Sequence, residues 1–223
     1  MKKAIIVLGT GRSGTSAMAG CLNILGAHVG NEPKPGNHAN AKGYFEETKI
    51  VALNKYILKQ YLNIEWYGDV SAFKQPAEFS AEIIALIKFT LHLSYKSSEI
   101  ICIKDPRMCI LFPAYEQALQ QLGYEISIIR MIRDTEEVAK SLAAVYTAPE
   151  NFNWKACIDT YNALIDLHLT SGFETYLTIY YPQLLEATHA TMLQIHNYLP
   201  FLNFGKSEIR MIDSFLDISL KHH

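Results

Sequence analysis

The chain opens on an unbroken apolar run. Residues 3–9, KAIIVLG, carry β-branched residues with no polar alternation and stop at glycine. Such a run predicts a strand buried on both faces, as in a parallel sheet. Helical spacing follows and predicts a helix over 13–25, closed by Gly26, with Ala27-His28-Val29 as a short second strand. Residues 30–43, GNEPKPGNHANAKG, form a polar loop rich in Gly, Pro and Asn, longer than the usual connection. Ile50, Leu53, Ile57 and Tyr61 share one face of a helix over 47–62, and Ile83, Ile87 and Leu91 one over 78–93. Apolar runs at 99–103, 125–132 and 176–180 predict further strands. Helices are expected over 109–122, 134–146 and 153–170. A last long helix starts at Pro182, with Leu184, Thr188, Met192, Ile195 and Leu199 at helical spacing. The C-terminal end reads as mostly irregular, with a short helix near 213–217.

Strands alternating with helices imply βαβ units. The expected fold class is α/β: a three-layer, P-loop-like domain over residues 1–223. Its central parallel sheet has about four or five strands flanked by helices, with a helical insert around 47–95. Ligands of such sheets bind beyond the carboxyl ends of the strands. That singles out the turns after Gly9, Val29, Ile103 and Ile132.

Composition narrows the function classes. Charged residues make up 19% and hydrophobic ones 49%, which excludes a disordered chain. A net charge of −2 excludes nucleic-acid binding driven by bulk charge. No run reaches the roughly 18 apolar residues of a membrane span. The run from Ala4 to Leu8 is too short for a signal-peptide core. Cys21, Cys102, Cys109 and Cys157 show no paired spacing and read as reduced core thiols. The expectation is a cytoplasmic protein without an integral membrane segment. His189 and His196 lie seven apart with no evident third ligand, so no metal site is expected. His222 and His223 are assigned no role.

The first turn, Gly9-Thr10-Gly11-Arg12-Ser13-Gly14-Thr15-Ser16, joins the first strand to the first helix. Glycines let the backbone turn tightly, and the emerging helix offers unpaired N–H groups and a positive dipole end. This is an anion cradle. Against the pattern G-x-x-x-x-G-K-[ST], Gly9, Gly14 and Ser16 fit, but Thr15 stands where lysine belongs. The basic residue is Arg12, inside the loop. The chain has 5 arginines against 15 lysines, and Arg12, Arg107, Arg130 and Arg133 fall in this turn or at strand ends. Arginine forks suit phosphate and sulfate, so an oligo-anionic ligand is expected.

With these motifs the chain resembles the sulfotransferases that use 3'-phosphoadenosine 5'-phosphosulfate (PAPS), in their bacterial-type, P-loop-related branch. GTGRSGTS at 9–16 is similar to the family's 5'-phosphosulfate loop. RDTEEVAKS at 133–141 is similar to its 3'-phosphate motif, an Arg and a Ser with seven residues between them. KDPR at 104–107 resembles a strand-end motif whose lysine faces the transferring sulfonate. GYFEETKIVALNKYIL at 43–58, YPQLLEATHATMLQIHNYL at 181–199 and MIDSFLDISLKHH at 211–223 extend the likeness in matching order. The basic-glycine segment of many cytosolic members is missing; Gly205-Lys206 is at best a vestige.

The resemblance implies transfer of a sulfonate from PAPS to a hydroxyl or amine acceptor, a carbohydrate, lipid-linked or small molecule, leaving PAP and needing no metal. It implies a nucleotide site of Gly11, Arg12, Ser13, Gly14, Thr15, Ser16, Arg133 and Ser141. Arg12 and Lys104 would meet the charge that develops on transfer. A general base must reach the acceptor hydroxyl. Glu46 is the first choice, then Glu32, with Asp105 and Glu47 also weighed. Asp105 could instead cap its turn or pair with Arg107, and Arg133 could pair with Glu136 or Glu137. The acceptor is expected under the 30–43 loop, near Trp66, Tyr67, Phe73 and Phe79. The alternatives are a divergent P-loop kinase and a non-catalytic PAP- or PAPS-binding module.

Overall fold

A computed structural model describes residues 1–38, 40–64, 78–96, 98–173 and 175–216. Strands β1 (Lys2–Leu8), β2 (Ile100–Lys104), β3 (Tyr124–Ile132) and β4 (Leu177–Tyr180) form a parallel sheet in the order β2-β1-β3-β4. Central β1 sets Ile5 beside Cys102 on one side and Ser127 on the other. Its residues alternate between two apolar layers, as a period of two demands. Ala4, Ile6 and Leu8 pack under α2 (Thr48–Tyr61), α3 (Ala81–Tyr95), α4 (Met108–Gln121) and α6 (Trp154–Gly172). Ile5 and Val7 face α1 (Thr15–Ile24), α7 (Tyr181–Glu186), α8 (Thr188–Tyr198) and α9 (Lys206–Phe215). Helix α5 (Thr135–Ala143) packs on α6 through Val138, Leu142 and Ile158. The continuous apolar run of the sequence is thus explained by burial on both faces.

Local chemistry sets the ends of these elements. Gly26, at φ 99°, ends α1 and lets the Ala27 N–H return to Leu22 O at 2.9 Å. Asp134 and Asn153 cap α5 and α6 by accepting from Glu137 N and Ala156 N, both at 3.0 Å. Pro113 lies inside α4 and has no N–H for the Cys109 carbonyl. The buried His168 ring supplies that donor from Nε2, at 3.1 Å. The proline is tolerated because α6 completes the hydrogen bonding of α4.

Three expectations need correction. The long helix from Pro182 breaks at Ala187 into α7 and α8. The hydroxyls of Thr188 and Thr191 turn back onto Leu184 O (2.9 Å) and Gln183 O (3.0 Å) and hold the break. The C-terminal region is helical from Lys206, because Ile209, Ile212 and Phe215 form an apolar stripe on the α1 layer. Ala27-His28-Val29 forms only a single bridge, from His28 to Ile101. Trp66, Tyr67, Phe73, His222 and His223 lie outside the described residues. Among the described residues no helix is long and apolar enough to cross a membrane.

Candidate active site

A pocket opens at the carboxyl edge of the sheet, where α/β sheets bind ligands. Each strand delivers residues to it: Gly11, Arg12 and Gly14 to Ser16 after β1, Lys104 at the end of β2, Arg133 after β3 and Tyr181 after β4. Gly14 carries the turn into α1. Its φ of 91° suits glycine, and a Cβ there would stand 2.2 Å from the Tyr181 ring. No side chain caps α1 at Gly14, and its first turn holds no acid. The N–H groups and dipole of α1 therefore face the pocket, along with the hydroxyl residues Thr15 and Ser16. Ser13 takes another course: its buried hydroxyl donates to Thr10 O at 2.7 Å and fixes the loop from within.

Arg12 sits in the left-handed region at φ 68° and reaches across to α5. Its Nε donates to Ser141 Oγ at 2.9 Å, over a sequence separation of 129 residues. Arg133 closes the same corner by donating from Nη1 to Arg12 O at 3.2 Å. Its Nε also donates to Glu137 at 2.8 Å, and its guanidinium stacks 5.0 Å from the Tyr181 ring. Burial pushes the Tyr181 phenol up from its ordinary pKa, while Arg133 and Arg12 pull it back. The two motifs of the sequence thus meet in space, through the strand–helix fold-back at 133–141.

Lys104 forms the floor. Its ammonium donates to Glu46 Oε1 at 2.6 Å, Ser16 Oγ at 3.0 Å and Tyr44 O at 3.3 Å. Glu46 is buried just before α2, where the loop pairs back on itself through Lys34 N and Glu46 O at 2.7 Å. Next to Lys104, Asp105 is turned into the interior. One oxygen accepts from Arg107 N and Nη1, at 2.9 and 2.7 Å, and the other from Asn54 Nδ2 at 2.9 Å. Tyr115 OH in turn donates to Asn54 Oδ1 at 2.6 Å. Asp105 braces the end of β2 and is not in position to take a proton from a ligand.

The remaining acids and arginines divide clearly. Glu32 is exposed and paired with Lys49, outside the pocket lining. Glu47 caps α2 and accepts from Glu32 N at 2.8 Å. Arg130 points away from the pocket and pairs with Asp166 of α6. Lys206 starts α9 and does not line the pocket. Phe79 packs against the core beside α3. Sequence reasoning missed Tyr181, Lys34, Lys42 and Phe215 as lining residues. Tyr181 directly follows a strand, the one strand end left unweighed, and both lysines lie in the over-long polar loop. Among the described residues no group of three or more His, Cys, Asp or Glu side chains converges. His189 instead meets Asp213 at 3.1 Å, and His196 packs on the Phe204 ring.

No family model and no curated protein matches the chain. Solved structures do. The sulfotransferase domain from the Synechococcus PCC 7002 olefin synthase aligns with 100% of this chain and 85% of its own, at TM-score 0.54 and 14% identity. The sulfotransferase domain from the curacin biosynthetic pathway covers 94% of this chain and 77% of its own, at TM-score 0.51 and 15% identity. Sulfotransferase STF1 from Mycobacterium tuberculosis H37Rv covers 96% of this chain and 71% of its own, at TM-score 0.53 and 13% identity. The chain therefore has the P-loop-like α/β fold of sulfotransferase domains, a parallel sheet with helices on both faces.

Proposed function

We propose that the protein is a PAPS-dependent sulfotransferase that transfers a sulfonate to a hydroxyl or amine acceptor. The observation that carries this reading is the junction of Arg12 with Ser141 and Arg133. It brings the glycine loop and the distant Arg–Ser motif into one anion-binding corner. A nucleotide with phosphates on both its 5' and 3' sides needs two such cradles side by side.

The residues present suit that donor. The uncapped N-terminus of α1 and Arg12 would hold the 5'-phosphosulfate, and Arg133 and Ser141 the 3'-phosphate. PAPS supplies an activated sulfonate, whose bond to the phosphate oxygen breaks as the acceptor oxygen bonds to sulfur. The loop N–H groups and Arg12 would stabilise the negative charge left on the departing phosphate. Lys104 stands between the loop hydroxyl of Ser16 and the carboxylate of Glu46. From there it would steady the sulfonate oxygens while orienting Glu46. Glu46 would take the proton of the acceptor hydroxyl on the side opposite the leaving phosphate. The sum is acceptor and PAPS giving sulfated acceptor, PAP and a proton.

A thermal-shift titration tests this reading, with PAP in chelator beside ATP with Mg²⁺. At a concentration of ~100 Kd, PAP should add roughly 2.7 kcal/mol to stability and raise the melting temperature visibly. A shift with ATP–Mg²⁺ alone would mark a P-loop kinase instead. PAP binding without any PAPS turnover across an acceptor panel would mark a binding module.

A further inference from the structure

Two cations of the pocket lie on the 30–43 loop, apart from the glycine loop and the strand ends. Among the described lining residues, Arg12, Lys34, Lys42, Lys104, Arg107 and Arg133 stand against one carboxylate, Glu46. Lys104 is matched by Glu46, Arg107 by Asp105 and Arg133 in part by Glu137. Arg12 belongs to the glycine loop. Lys34 and Lys42 remain, and neither has a carboxylate partner among the described residues. The Lys34 ammonium rests 4.1 Å from the Tyr44 ring, and Lys42 is held against the Phe215 ring and carbonyl. Contacts of that kind position an ammonium without neutralising it.

Their place in the fold decides which ligand they meet. Both lie on the 30–43 loop, and Lys34 pairs by its backbone with Glu46. In-line transfer puts the acceptor opposite the leaving phosphate. The leaving phosphate would belong to the Gly11–Ser16 side, and the 30–43 loop, which Lys34 ties to Glu46, would border the acceptor. We propose that the acceptor is an anion: a molecule that carries its hydroxyl together with a phosphate, sulfate or carboxylate group, which Lys34 and Lys42 receive. This rests on the sulfotransferase reading and adds the substrate's charge class to it. The Lys34 and Lys42 side chains lie outside the core, so their replacement leaves the fold intact.

The test uses the full chain and inorganic pyrophosphate as probe, by titration calorimetry. Protein is first saturated with PAP, and pyrophosphate is then added to wild type and to the Lys34→Gln/Lys42→Gln double variant. The expected result is one further anion site on the PAP-loaded wild type, weakened at least tenfold in the double variant, with PAP affinity changed less than twofold. The proposal is overturned if PAP-loaded protein binds no pyrophosphate, or if the double variant binds it as well as wild type. It is also overturned if the double variant loses PAP affinity to the same extent, since the lysines would then serve the nucleotide. Failure of PAP itself to bind overturns the sulfotransferase reading separately, because it is measured before any pyrophosphate is added.

Discussion

Lys104 and Glu46 lie 58 residues apart in sequence, yet Lys104 Nζ stands 2.6 Å from Glu46 Oε1 with both side chains buried. The pair ties the carboxyl end of β2 to the residue just before α2, across the mouth of the glycine loop. A pair placed so deep costs desolvation, and breaking one partner leaves the other exposed to that cost. The pair fixes the loop and, under the proposed function, would set the proton acceptor.

Lys104→Met should therefore destabilise the protein by about 3–5 kcal/mol, because it leaves the Glu46 carboxylate buried and unpaired. Glu46→Gln keeps an oxygen for Lys104 and should cost less in urea denaturation. Its PAP affinity should stay near wild type while turnover falls roughly 10²–10⁴-fold. Glu32→Gln should leave turnover unchanged, since Glu32 sits outside the pocket on Lys49. Equal losses in the two Gln variants would move the base away from Glu46.

The arginines should separate by position. Arg12→Ala should weaken PAP at least tenfold in calorimetry, as expected for a charged hydrogen bond worth about 1.5–3 kcal/mol. Ser141→Ala removes one neutral partner and should cost about 1 kcal/mol, roughly fivefold. Arg130→Gln should leave PAP affinity unchanged, because Arg130 pairs with Asp166 away from the pocket.

Gly14→Ala tests the cradle by shape. The left-handed φ of 91° and the Tyr181 ring both oppose a Cβ. The variant should lose at least about 1 kcal/mol of stability in thermal melts and most of its PAP affinity. Tyr181→Phe, which keeps the ring, should fold normally.

Stability should fall toward acid through His168. Burial lowers its pKa below the usual histidine value, and its Nε2–H is committed to Cys109 O. A lowered folded-state pKa gives stability that is present above the unfolded value of about 6.5 and is lost as pH falls through the folded one. Urea midpoints between pH 7.5 and 5 should decline in wild type. The decline should be shallower in His168→Gln, which keeps a donor but does not titrate.

The alkaline side carries the opposite sign. Burial pushes the thiols of Cys21, Cys102 and Cys109 up to about 12. A raised folded-state pKa gives stability that is complete below the unfolded value of about 8.5 and is lost as pH rises toward the folded one. Native protein at pH 8 should resist a thiol reagent, with reaction appearing only on unfolding. Rapid modification of the native state would contradict the buried assignment.

The strands were legible because burial on both faces removes polar residues from them, as in Ala4 to Leu8. The glycine loop was legible because its backbone needs small residues. The pairing of Asp105 with Arg107 was legible from their spacing of two; its hold through Asn54 and Tyr115 was not, since those lie on two separate helices. The order of Glu46 before Glu32 was legible only by resemblance: in space Lys104 holds the Glu46 carboxylate at the pocket, while Glu32 pairs with Lys49 outside its lining. The break at Ala187 was hidden for a related reason. Apolar spacing continues through it, and two threonine hydroxyls, not the periodicity, decide the break.

A crystal structure of the protein with PAP would show directly where its two phosphates sit. The 5'-phosphate is expected against the N–H groups of Gly11 to Ser16 and the 3'-phosphate at Arg133 and Ser141, with Arg12 between them. PAP bound with neither phosphate in that corner, or with the two cradles exchanged, would contradict this placement.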